Sequence, residues 1–452
     1  MNQLSRRSLL KSSAAVAGTG LWTLPAVAAG RTAANDRIRA AVVGLGGRGR
    51  KSIAGALREL AAENVEIAAL CDCDENRLET AAAEHEKATG KRPATAVDYH
   101  QVLDNKDIDA VALATPNHWH ALQTIWACQA GKDVYVEKPA SHNIFEGRKM
   151  VEAARKYGRM VQHGTQCRSS PNIREGIAKL KEGVIGRLYM ARGIAFKLRA
   201  GGRRVAEPTP PGMHWDLWLG PAPKEPYNRL AIERWRFLKS YGNGEIGDQG
   251  VHQLDIIRWG LGLDVHPTRV QSMGGRLAHP TDDEDTPGNQ VAAYEYADRK
   301  LLVTFETRDG YTNSEAGMGI EYPFVDQRNV VGVIFFGTEG YMIVPDYSSY
   351  YTFLGAKRNP GPSASVAGNP YMDTDHVRRW LQAVRSRKAD DLYAEIGEGH
   401  LSSALAHLAN IAFATGRTLQ FDPKRERFLG DDEANQMLTR DYRQSYIVPD
   451  VV

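Results

Sequence analysis

The sequence predicts an α/β fold in two parts: an N-terminal doubly wound parallel sheet, then a C-terminal α+β domain with a large, mainly antiparallel open sheet. Short apolar strands alternate with helices from residue 37 to about residue 165, which is typical of a parallel sheet covered by helices. Later strands are longer and alternate apolar with polar residues, as in an antiparallel sheet with one solvated face. The length of 452 residues is sufficient for two domains.

The N-terminal half alternates strands and helices at short intervals. Each predicted strand is an apolar run that ends at a glycine or a polar side chain, and each helix has apolar residues spaced by three and four. The predicted strands cover 38–43, 65–70, 109–114, 133–136 and 160–162, and the helices cover 51–62, 75–88, 118–130 and 144–157. Because helices join consecutive strands, we expect the strands to run parallel.

The C-terminal half has longer elements. Its predicted helices cover 172–183, 373–387 and 395–415, and its predicted strands cover 187–198, 291–308 and 330–345. The connection 200–244 is rich in proline, glycine and tryptophan, and loops of that length in a compact domain are commonly functional. The predicted division is a first domain over 36–164, a second over 165–425 and a tail over 426–452.

The first 29 residues have the pattern of an export signal. Arg6 and Arg7 form a twin-arginine pair, a weakly apolar stretch runs from Ala14 to Leu24, and a small-residue cleavage site follows at 25–29. The apolar stretch is far shorter than the roughly 20 residues that a spanning helix needs. The sequence therefore predicts export by the twin-arginine translocation machinery, a periplasmic or secreted location, and no membrane attachment after processing.

The charge of the chain argues against two classes of partner. The formal net charge is +3, and residues 1–29 hold Arg6, Arg7 and Lys11 with no acid. The remaining chain is therefore neutral. A neutral chain gives no support for binding to nucleic acid or to a membrane surface.

A glycine-rich turn follows the first strand and opens the first helix. Gly44, Gly46 and Gly49 have the spacing G-x-G-x-x-G, with Gly47 and Arg48 between them. Between a strand and a helix, this spacing lets a pyrophosphate approach the backbone and the free N–H groups of the helix. The turn predicts a bound nicotinamide dinucleotide.

Asp72 bears on the choice between the two nicotinamide dinucleotides. It ends the second strand, where a carboxylate binds the ribose hydroxyls and repels a 2′-phosphate. Asp72 therefore favours NAD over NADP. Arg48, Arg50 and Arg77 lie close enough in the sequence to leave NADP open.

Two later strand ends are predicted to reach the same crevice, because open parallel sheets bind ligands at the carboxyl ends of their strands. The cofactor-binding side chains predicted there are Thr115, Pro116, Asn117, His120, Glu137 and Lys138. Lys138 is also a candidate catalytic group. A lysine beside the nicotinamide can bind the substrate oxygen and stabilise a developing alkoxide.

Asp248 and His252 form a second candidate pair. They are four residues apart in a stretch of helical spacing, so we expect them on one face of a helix. A histidine beside an orienting carboxylate suits a general base. The structural alternative is a core histidine and an aspartate that caps the helix.

Together, Glu137-Lys138-Pro139, the Asp248 and His252 pair and the glycine turn resemble the Gfo/Idh/MocA family of oxidoreductases. The resemblance runs from about residue 37 to residue 423. It implies a pyranose or cyclitol substrate, a homo-oligomer formed through the open sheet, and three roles. His252 would take the hydroxyl proton, Lys138 would bridge substrate and cofactor, and Asp248 would bind an adjacent hydroxyl or tune the histidine.

Three further residues are predicted to contact the substrate: Gln166 and Arg168, just after the last parallel strand, and Trp235 in the long loop. A solvated arginine and a local aromatic core are the competing interpretations. No metal is predicted, because His118, His120 and His252 lack carboxylates at a fixed ligand spacing. The four cysteines show neither zinc nor disulfide spacing.

Export changes the expected role of the cofactor. Free NAD is scarce outside the cytoplasm, so we expect the dinucleotide to be bound before export and held tightly. An oxidoreductase of this kind would pass its hydride to a second sugar. The alternative is a glycosidase or lyase that oxidises C3 transiently and returns the hydride, with no net redox. A cofactor-holding sensor without turnover is the third possibility.

Overall fold

The structure is a computed structural model and describes residues 37–310, 312, 315, 329–366 and 372–452. The predicted signal peptide at 1–29 and the linker at 30–36 lie outside the described residues.

The first sheet is built from six short strands. They are β1 (Ile38–Val43), β2 (Val65–Cys71), β3 (Ala94–Ala96), β4 (Ala110–Leu113), β5 (Asp133–Val136) and β6 (Val161–His163). All pairs are parallel and the spatial order is β3-β2-β1-β4-β5-β6. Residues 40–43 and 110–113 are at most 2% exposed, because helices cover both faces of the central strands. The predicted doubly wound sheet is confirmed.

Five helices connect these strands, and two elements differ from the sequence predictions. The helices are α1 (Ala54–Glu59), α2 (Glu75–Thr89), α3 (Tyr99–Asp104), α4 (Asn117–Gln129) and α5 (Ile144–Lys156). The helix predicted over 51–62 instead begins as a π-helical turn at Arg48–Ile53, continues as α1 and ends as a 3₁₀ turn at Leu60–Glu63. β3 and α3 had no sequence prediction, because three and six residues are too few to show a period.

The second sheet has ten strands. They are β7 (Leu188–Lys197), β8 (Arg269–Gly275), β9 (Asn289–Tyr296), β10 (Leu301–Asp309), β11 (Asn329–Gly337), β12 (Gly340–Val344), β13 (Tyr350–Leu354), β14 (Asn359–Ala364), β15 (Leu419–Asp422) and β16 (Arg427–Phe428). Their order is β14-β13-β12-β11-β7-β10-β9-β8-β15-β16. β7 and β10 are parallel and the other neighbours are antiparallel, which confirms the predicted mainly antiparallel sheet.

Two of the strands predicted in this half were wrong in length. The segment 291–308 is a hairpin, because the chain turns at Ala297–Arg299 and Lys300 takes a left-handed conformation with φ of 52°. The segment 330–345 is also a hairpin, with its turn between β11 and β12. In both, polar or glycine residues interrupt the apolar pattern, at 298–300 and at 337–340, and these turn signals mark the breaks that the prediction missed.

The remaining helices are α6 (Pro171–Lys181), α7 (Trp215–Leu219), α8 (Arg229–Arg234), α9 (Gly244–Asp248), α10 (Gly250–Leu261), α11 (Asp373–Ser386), α12 (Ile396–Thr415) and α13 (Asp432–Gln436). α10 lies on the second sheet, so close that a Cβ at Gly260 would be 2.4 Å from the ring of Phe335. α12 packs between α5 and β8. Within the described ranges, no helix is both long and apolar enough to cross a membrane.

α11 follows β7–β14 of the second sheet in the chain but packs against the first sheet. Its Trp380 is fully buried, with its ring centroid 5.9 Å from that of Tyr135 in β5. The apolar face of α11 joins the core formed by β1, β2 and β4. The start of α11 is thereby held beside the glycine turn, which matters for the site.

Candidate active site

The glycine turn contains glycines of two kinds. Gly44 has a φ of 84°, and a Cβ there would lie 2.7 Å from the carbonyl carbon of Ala114. A Cβ at Gly49 would lie 1.8 Å from the carbonyl oxygen of Gly44. These two positions require glycine for the turn to pack against β4. A Cβ at Gly47 would meet nothing within 4 Å, so this part of the turn faces open space.

A cavity of about 550 Å³ lies in front of the turn. The turn and the ends of β1, β2 and β4 form one wall, and the segment 217–236 with Tyr446 forms another. The predicted cofactor residues that line it are Gly44, Gly46, Gly47, Arg48, Asp72, Thr115 and Pro116. An open glycine turn beside a deep cavity at the strand ends fits a dinucleotide.

The carboxylate of Asp72 lies on the cavity wall and is held by the backbone. Its Oδ2 accepts a hydrogen bond from the Leu45 N–H at 2.6 Å, and its Oδ1 accepts one from the Asp74 N–H at 2.9 Å. Burial raises the pKa of this carboxyl, and the two N–H donors oppose the rise. Each oxygen keeps a second lone pair, which is what the predicted contact with ribose hydroxyls requires.

Arg48 joins the glycine turn to two distant elements. Its Nε donates to Glu137 Oε1 at 2.7 Å, and its two terminal nitrogens donate to the carboxylate of Asp373 at 2.7 and 2.6 Å. Burial alone would raise the pKa of Glu137, but Arg48 and Lys138 keep it below its ordinary value. Arg48 and Glu137 thus hold the turn, the end of β5 and the start of α11 together.

Asn117 and His120 position neighbouring loops. The two ring nitrogens of His120 lie 2.7 Å from the carbonyl oxygen of Pro139 and 2.8 Å from that of Thr115, so the ring joins the ends of β4 and β5. Asn117 Nδ2 donates to Asn243 Oδ1 at 3.0 Å. Both side chains are at most 2% exposed. These hydrogen bonds position the segments that contain Lys138 and α9.

Lys138 and Asp248 form an ion pair whose side chains are 17% and 14% exposed. Lys138 Nζ donates to Asp248 Oδ1 at 2.7 Å and to the Asp248 carbonyl oxygen at 2.6 Å. Burial would raise the pKa of Asp248, but Lys138 and Arg236 keep it well below its ordinary value. Two contacts from one ammonium group fix the lysine at the end of β5. The structure therefore brings together two of the three predicted catalytic residues.

The helix predicted from Asp248 onward is interrupted. Asp248 is the last residue of α9, Gln249 is a turn residue, and His252 lies in the first turn of α10. The His252 N–H donates to the Gln249 carbonyl at 3.2 Å, three residues back rather than four. The two side chains therefore lie at a junction of helices, and Asp248 pairs with Lys138 instead of capping a helix.

His252 is a buried, neutral base. It is 5% exposed, and its Nδ1 is buried without a hydrogen-bond partner in the described part of the chain. Burial and the charges of Lys138 and Arg48 keep its pKa well below the ordinary value, against the opposing effect of Asp248. An imidazole that is unprotonated at neutral pH is able to accept a proton from a hydroxyl group.

The structure adds residues that sequence reasoning missed. Arg236 lines the cavity and its Nε donates to Asp248 Oδ1 at 3.1 Å, which links the cavity to the ion pair. Tyr347 lies with its ring 5.5 Å from that of His252 and accepts a hydrogen bond from Gln249. No local motif marks these residues, since each joins the site only through tertiary packing.

The three residues predicted to contact the substrate lie in different surroundings. The guanidinium of Arg168 is buried and binds both oxygens of Asp255 at 2.8 Å and Glu398 at 2.9 Å, so its geometry serves the packing of α10 and α12. Gln166 is buried, and its Oε1 is without a hydrogen-bond partner among the described residues. Trp235 lines the cavity, with the Arg236 guanidinium 4.3 Å from its ring.

A group of metal-ligand type occurs elsewhere in the described residues, at His266, His400 and Glu426. Glu426 Oε1 lies 2.7 Å from His266 Nε2 and 2.8 Å from His400 Nε2, and the Arg148 guanidinium binds the same carboxylate. Three donors on one carboxylate satisfy it without an ion. This cluster cross-links α5, α12 and the β15–β16 hairpin.

The far wall of the cavity is fastened to the first sheet by the long loop. The Glu75 N–H donates to the Gly212 carbonyl and the His214 N–H to the Cys73 carbonyl, both at 2.9 Å. The His214 ring also lies 2.7 Å from Glu75 Oε1. At the other end, Arg443 in the C-terminal tail binds the carboxylate of Asp216. Hydrogen bonds therefore hold this wall of the cavity at both of its ends.

Residues 38–165 match the profile of the Gfo/Idh/MocA oxidoreductases described as an NAD-binding Rossmann fold. Residues 184–312 and 356–448 match that of the C-terminal alpha/beta domain of the same oxidoreductases.

Sequence identity to individual proteins is below one third in the aligned regions. The chain is 29% identical to a levoglucosan dehydrogenase of Pseudarthrobacter phenanthrenivorans over 40% of each chain, so it spans less than half of that relative's length. It is 28% identical to a glycosyl hydrolase family 109 protein of Streptomyces niveus, over 76% of this chain and 72% of that one. A solved levoglucosan dehydrogenase in complex with NADH and levoglucosan superposes with a TM-score of 0.64 and 18% identity, covering 85% of this chain and 99% of the other.

Proposed function

The chain belongs to the Gfo/Idh/MocA family of oxidoreductases, and from that premise we propose that it oxidises a hydroxyl group of a pyranose, a sugar derivative or a cyclitol. The hydride would pass to a nicotinamide dinucleotide that stays bound, and from it to the carbonyl group of a second sugar, which is reduced to an alcohol and leaves the cofactor oxidised. The observation that carries the proposal is the Lys138–Asp248 pair beside the neutral His252, connected to the dinucleotide cavity through Arg236.

The described side chains divide the chemistry among them. The dinucleotide supplies the hydride acceptor when it is bound. His252, being unprotonated, takes the proton of the substrate hydroxyl. The Lys138 ammonium, held in place by Asp248, donates a hydrogen bond to the same oxygen and stabilises the negative charge that grows there.

The fixed wall of the cavity supports a resident cofactor. Its far wall is fastened by backbone hydrogen bonds at Gly212 and His214 and by the C-terminal tail. A wall that is held in place keeps its contacts with a bound dinucleotide, which favours slow dissociation. A cofactor that stays bound is also what an exported enzyme requires, and we retain twin-arginine export to the periplasm or medium as part of the proposal.

Asp72 supports NAD as the cofactor. Its carboxylate stands at the end of β2 on the cavity wall, where a 2′-phosphate would meet a negative charge. Arg50 is paired with Glu84 at 2.9 Å and Arg77 with Asp74 at 3.3 Å, so both are already engaged by acids. NADP is the alternative that a comparison of the two cofactors tests.

The open sheet supports a homo-oligomer. Met273, Val291 and Leu302 are 63%, 47% and 40% exposed on three adjacent strands. Exposed apolar side chains grouped on one sheet face are typical of a protein interface.

A glycosidase or lyase with transient oxidation is the second candidate, favoured by the match to the glycosyl hydrolase family 109 protein over most of both chains. It uses the same first step. After oxidation, loss of an α-proton and of the glycosidic group, water adds and the hydride returns, so no reduced cofactor accumulates.

Two measurements test the proposal. Denaturing the purified exported protein should release about one nicotinamide dinucleotide per chain, and a folded but empty protein at high yield would contradict a resident cofactor. Free pyranoses and cyclitols are then compared with aryl glycosides. Absorbance of the reduced nicotinamide indicates oxidation, whereas release of the aryl group without it indicates transient oxidation.

A further inference from the structure

Two carboxylates near His252, the buried Glu245 and the partly exposed Asp248, are surrounded by an excess of cations. Arg199 Nε lies 2.7 Å and Lys197 Nζ 3.5 Å from the carboxylate of Glu245. The carboxylate of Asp248 is contacted by Lys138 at 2.7 Å, Arg236 at 3.1 Å and Arg199 at 3.4 Å. Among the described residues, four cations therefore share two acids.

The acids around this group are engaged elsewhere. Glu137 and Asp373 face Arg48, and Asp309 faces Arg276 at 3.2 Å. Glu245 is itself a weak counter-charge: it is 2% exposed, and burial raises its pKa in spite of Lys197 and Arg199. Four basic and two acidic side chains leave a formal excess of two positive charges. Burial also lowers the pKa of Lys197, which is unfavourable for a further buried cation and is relieved by a bound anion.

The excess cations are held rigidly and remain partly open. The guanidinium of Arg199 lies 4.8 Å from the ring of Phe237, and that of Arg236 lies 4.3 Å from Trp235. Such stacking fixes the plane of the guanidinium and leaves its N–H edge available. The side chains of Lys197 and Arg199 are 16% and 23% exposed, so a ligand can reach them.

Burial of like charges is unfavourable unless an opposite charge compensates them. Lys197 ends β7 and Arg199 follows two residues later. Arg199 contacts Oδ2 of Asp248, whereas Lys138 contacts Oδ1. A substrate seated against Lys138 and His252 would bring its neighbouring substituent toward them.

We propose that the sugar bound at this site carries an anionic group, a carboxylate or a phosphate, which Lys197 and Arg199 bind. The inference rests on the proposed function and narrows its substrate class. An arginine fork matches two anionic oxygens, and charge-assisted hydrogen bonds of this kind are the stronger ones.

The test uses the exported holoenzyme and measures steady-state oxidation of matched sugars, with a fixed second sugar as hydride acceptor: glucose, glucuronate and glucose 6-phosphate, with their galactose counterparts. We expect the KM of either the carboxylated or the phosphorylated sugars to be at least about tenfold lower than that of the neutral sugar. The class with the lower KM identifies the anionic group. Arg199→Met and Lys197→Met should each raise the ratio of the KM for the anionic sugar to the KM for the neutral sugar about tenfold. Lys357→Met, in the exposed β13–β14 turn, is the control.

Two results would overturn the inference. If neutral sugars are oxidised with the same KM as anionic ones, the anionic substrate class is wrong, although the proposed oxidation stands. An equal loss on both kinds of sugar in the two variants, with lower cofactor content, would give these cations a structural or cofactor role. If no sugar of any kind reduces the bound cofactor, the proposed function fails as well.

Discussion

The ammonium group of Lys138 and the carboxylate of Asp248 are 2.7 Å apart, although 110 residues separate them in the chain. The same ammonium also binds the main-chain oxygen of Asp248 at 2.6 Å. The pair thus joins the first sheet to the helix that precedes His252. It fixes an ammonium group in place before any substrate arrives, which is how electrostatic stabilisation of a transition state is most effective.

Replacing Lys138 by methionine should abolish most of the activity. The variant keeps the length and much of the packing of the side chain but loses the donor that stabilises the growing alkoxide, so we expect kcat to fall by about 100-fold or more. Steady-state kinetics with cofactor content measured in parallel checks this. Lys357→Met is the matched control, and a Lys138→Met enzyme that keeps its cofactor and a near-normal kcat would refute the role.

The pH profile of oxidation should reflect the depressed pKa of His252. Its base form is required, and its pKa lies well below the ordinary histidine value, so kcat should remain on its plateau as the pH falls through 6.5 and decline only at more acidic pH. Circular dichroism at each pH separates this decline from unfolding. An acid limb centred at or above pH 6.5 would contradict the assignment.

The two neighbouring charges should shift the His252 pKa in opposite directions. Lys138 lowers it and Asp248 raises it, so Lys138→Met should raise the pKa of His252 and Asp248→Asn should lower it. NMR titration of histidine-labelled protein measures both without relying on turnover. Shifts of the same sign in the two variants would show that burial or rearrangement, not charge, controls the imidazole.

The protein should lose stability as the pH falls below about 6.5. Burial holds the pKa of five histidines far below the unfolded value of about 6.5: His118, His163 and His407 at about 3, and His266 and His376 at about 4. The unfolded chain therefore binds protons first. Each histidine contributes stability that is complete above pH 6.5 and is lost toward pH 4, at about 1.4 kcal/mol per pH unit.

Urea unfolding at pH 8, 6.5 and 5 measures this loss as a falling midpoint. The variant His407→Gln should reduce the slope by about one proton, whereas His100→Gln, whose side chain is 55% exposed, should leave it unchanged. Equal midpoints at pH 8 and pH 5 would contradict the prediction.

Local patterns predicted the first sheet and the glycine turn because their determinants are contiguous. The apolar run Ile38–Val43 and the glycines after it need only their neighbours in sequence to form a strand and a turn. Lys138 could be singled out for the same reason, since it directly follows a strand whose end faces the crevice.

The partners of Arg168 and Asp248 could not be predicted in this way. Arg168 follows a parallel strand, as a cleft residue would, but its partner Asp255 lies 87 residues later on α10. Two of the cations that contact Asp248 come from the segment just after β7 and from the 3₁₀ turn after α8. Tertiary packing brings these side chains together, and no spacing in the sequence indicates that packing.

Weakening the tie between the glycine turn and α11 should loosen the cofactor. Asp373→Asn removes the charge that two nitrogens of Arg48 contact at 2.6 and 2.7 Å, so we expect about tenfold faster release of the dinucleotide. Asp375→Asn, in the same first turn but 56% exposed, is the matched control. The dinucleotide retained after repeated gel filtration measures the effect. Equal retention in the two variants would show that Arg48 does not help to hold the turn closed around the cofactor.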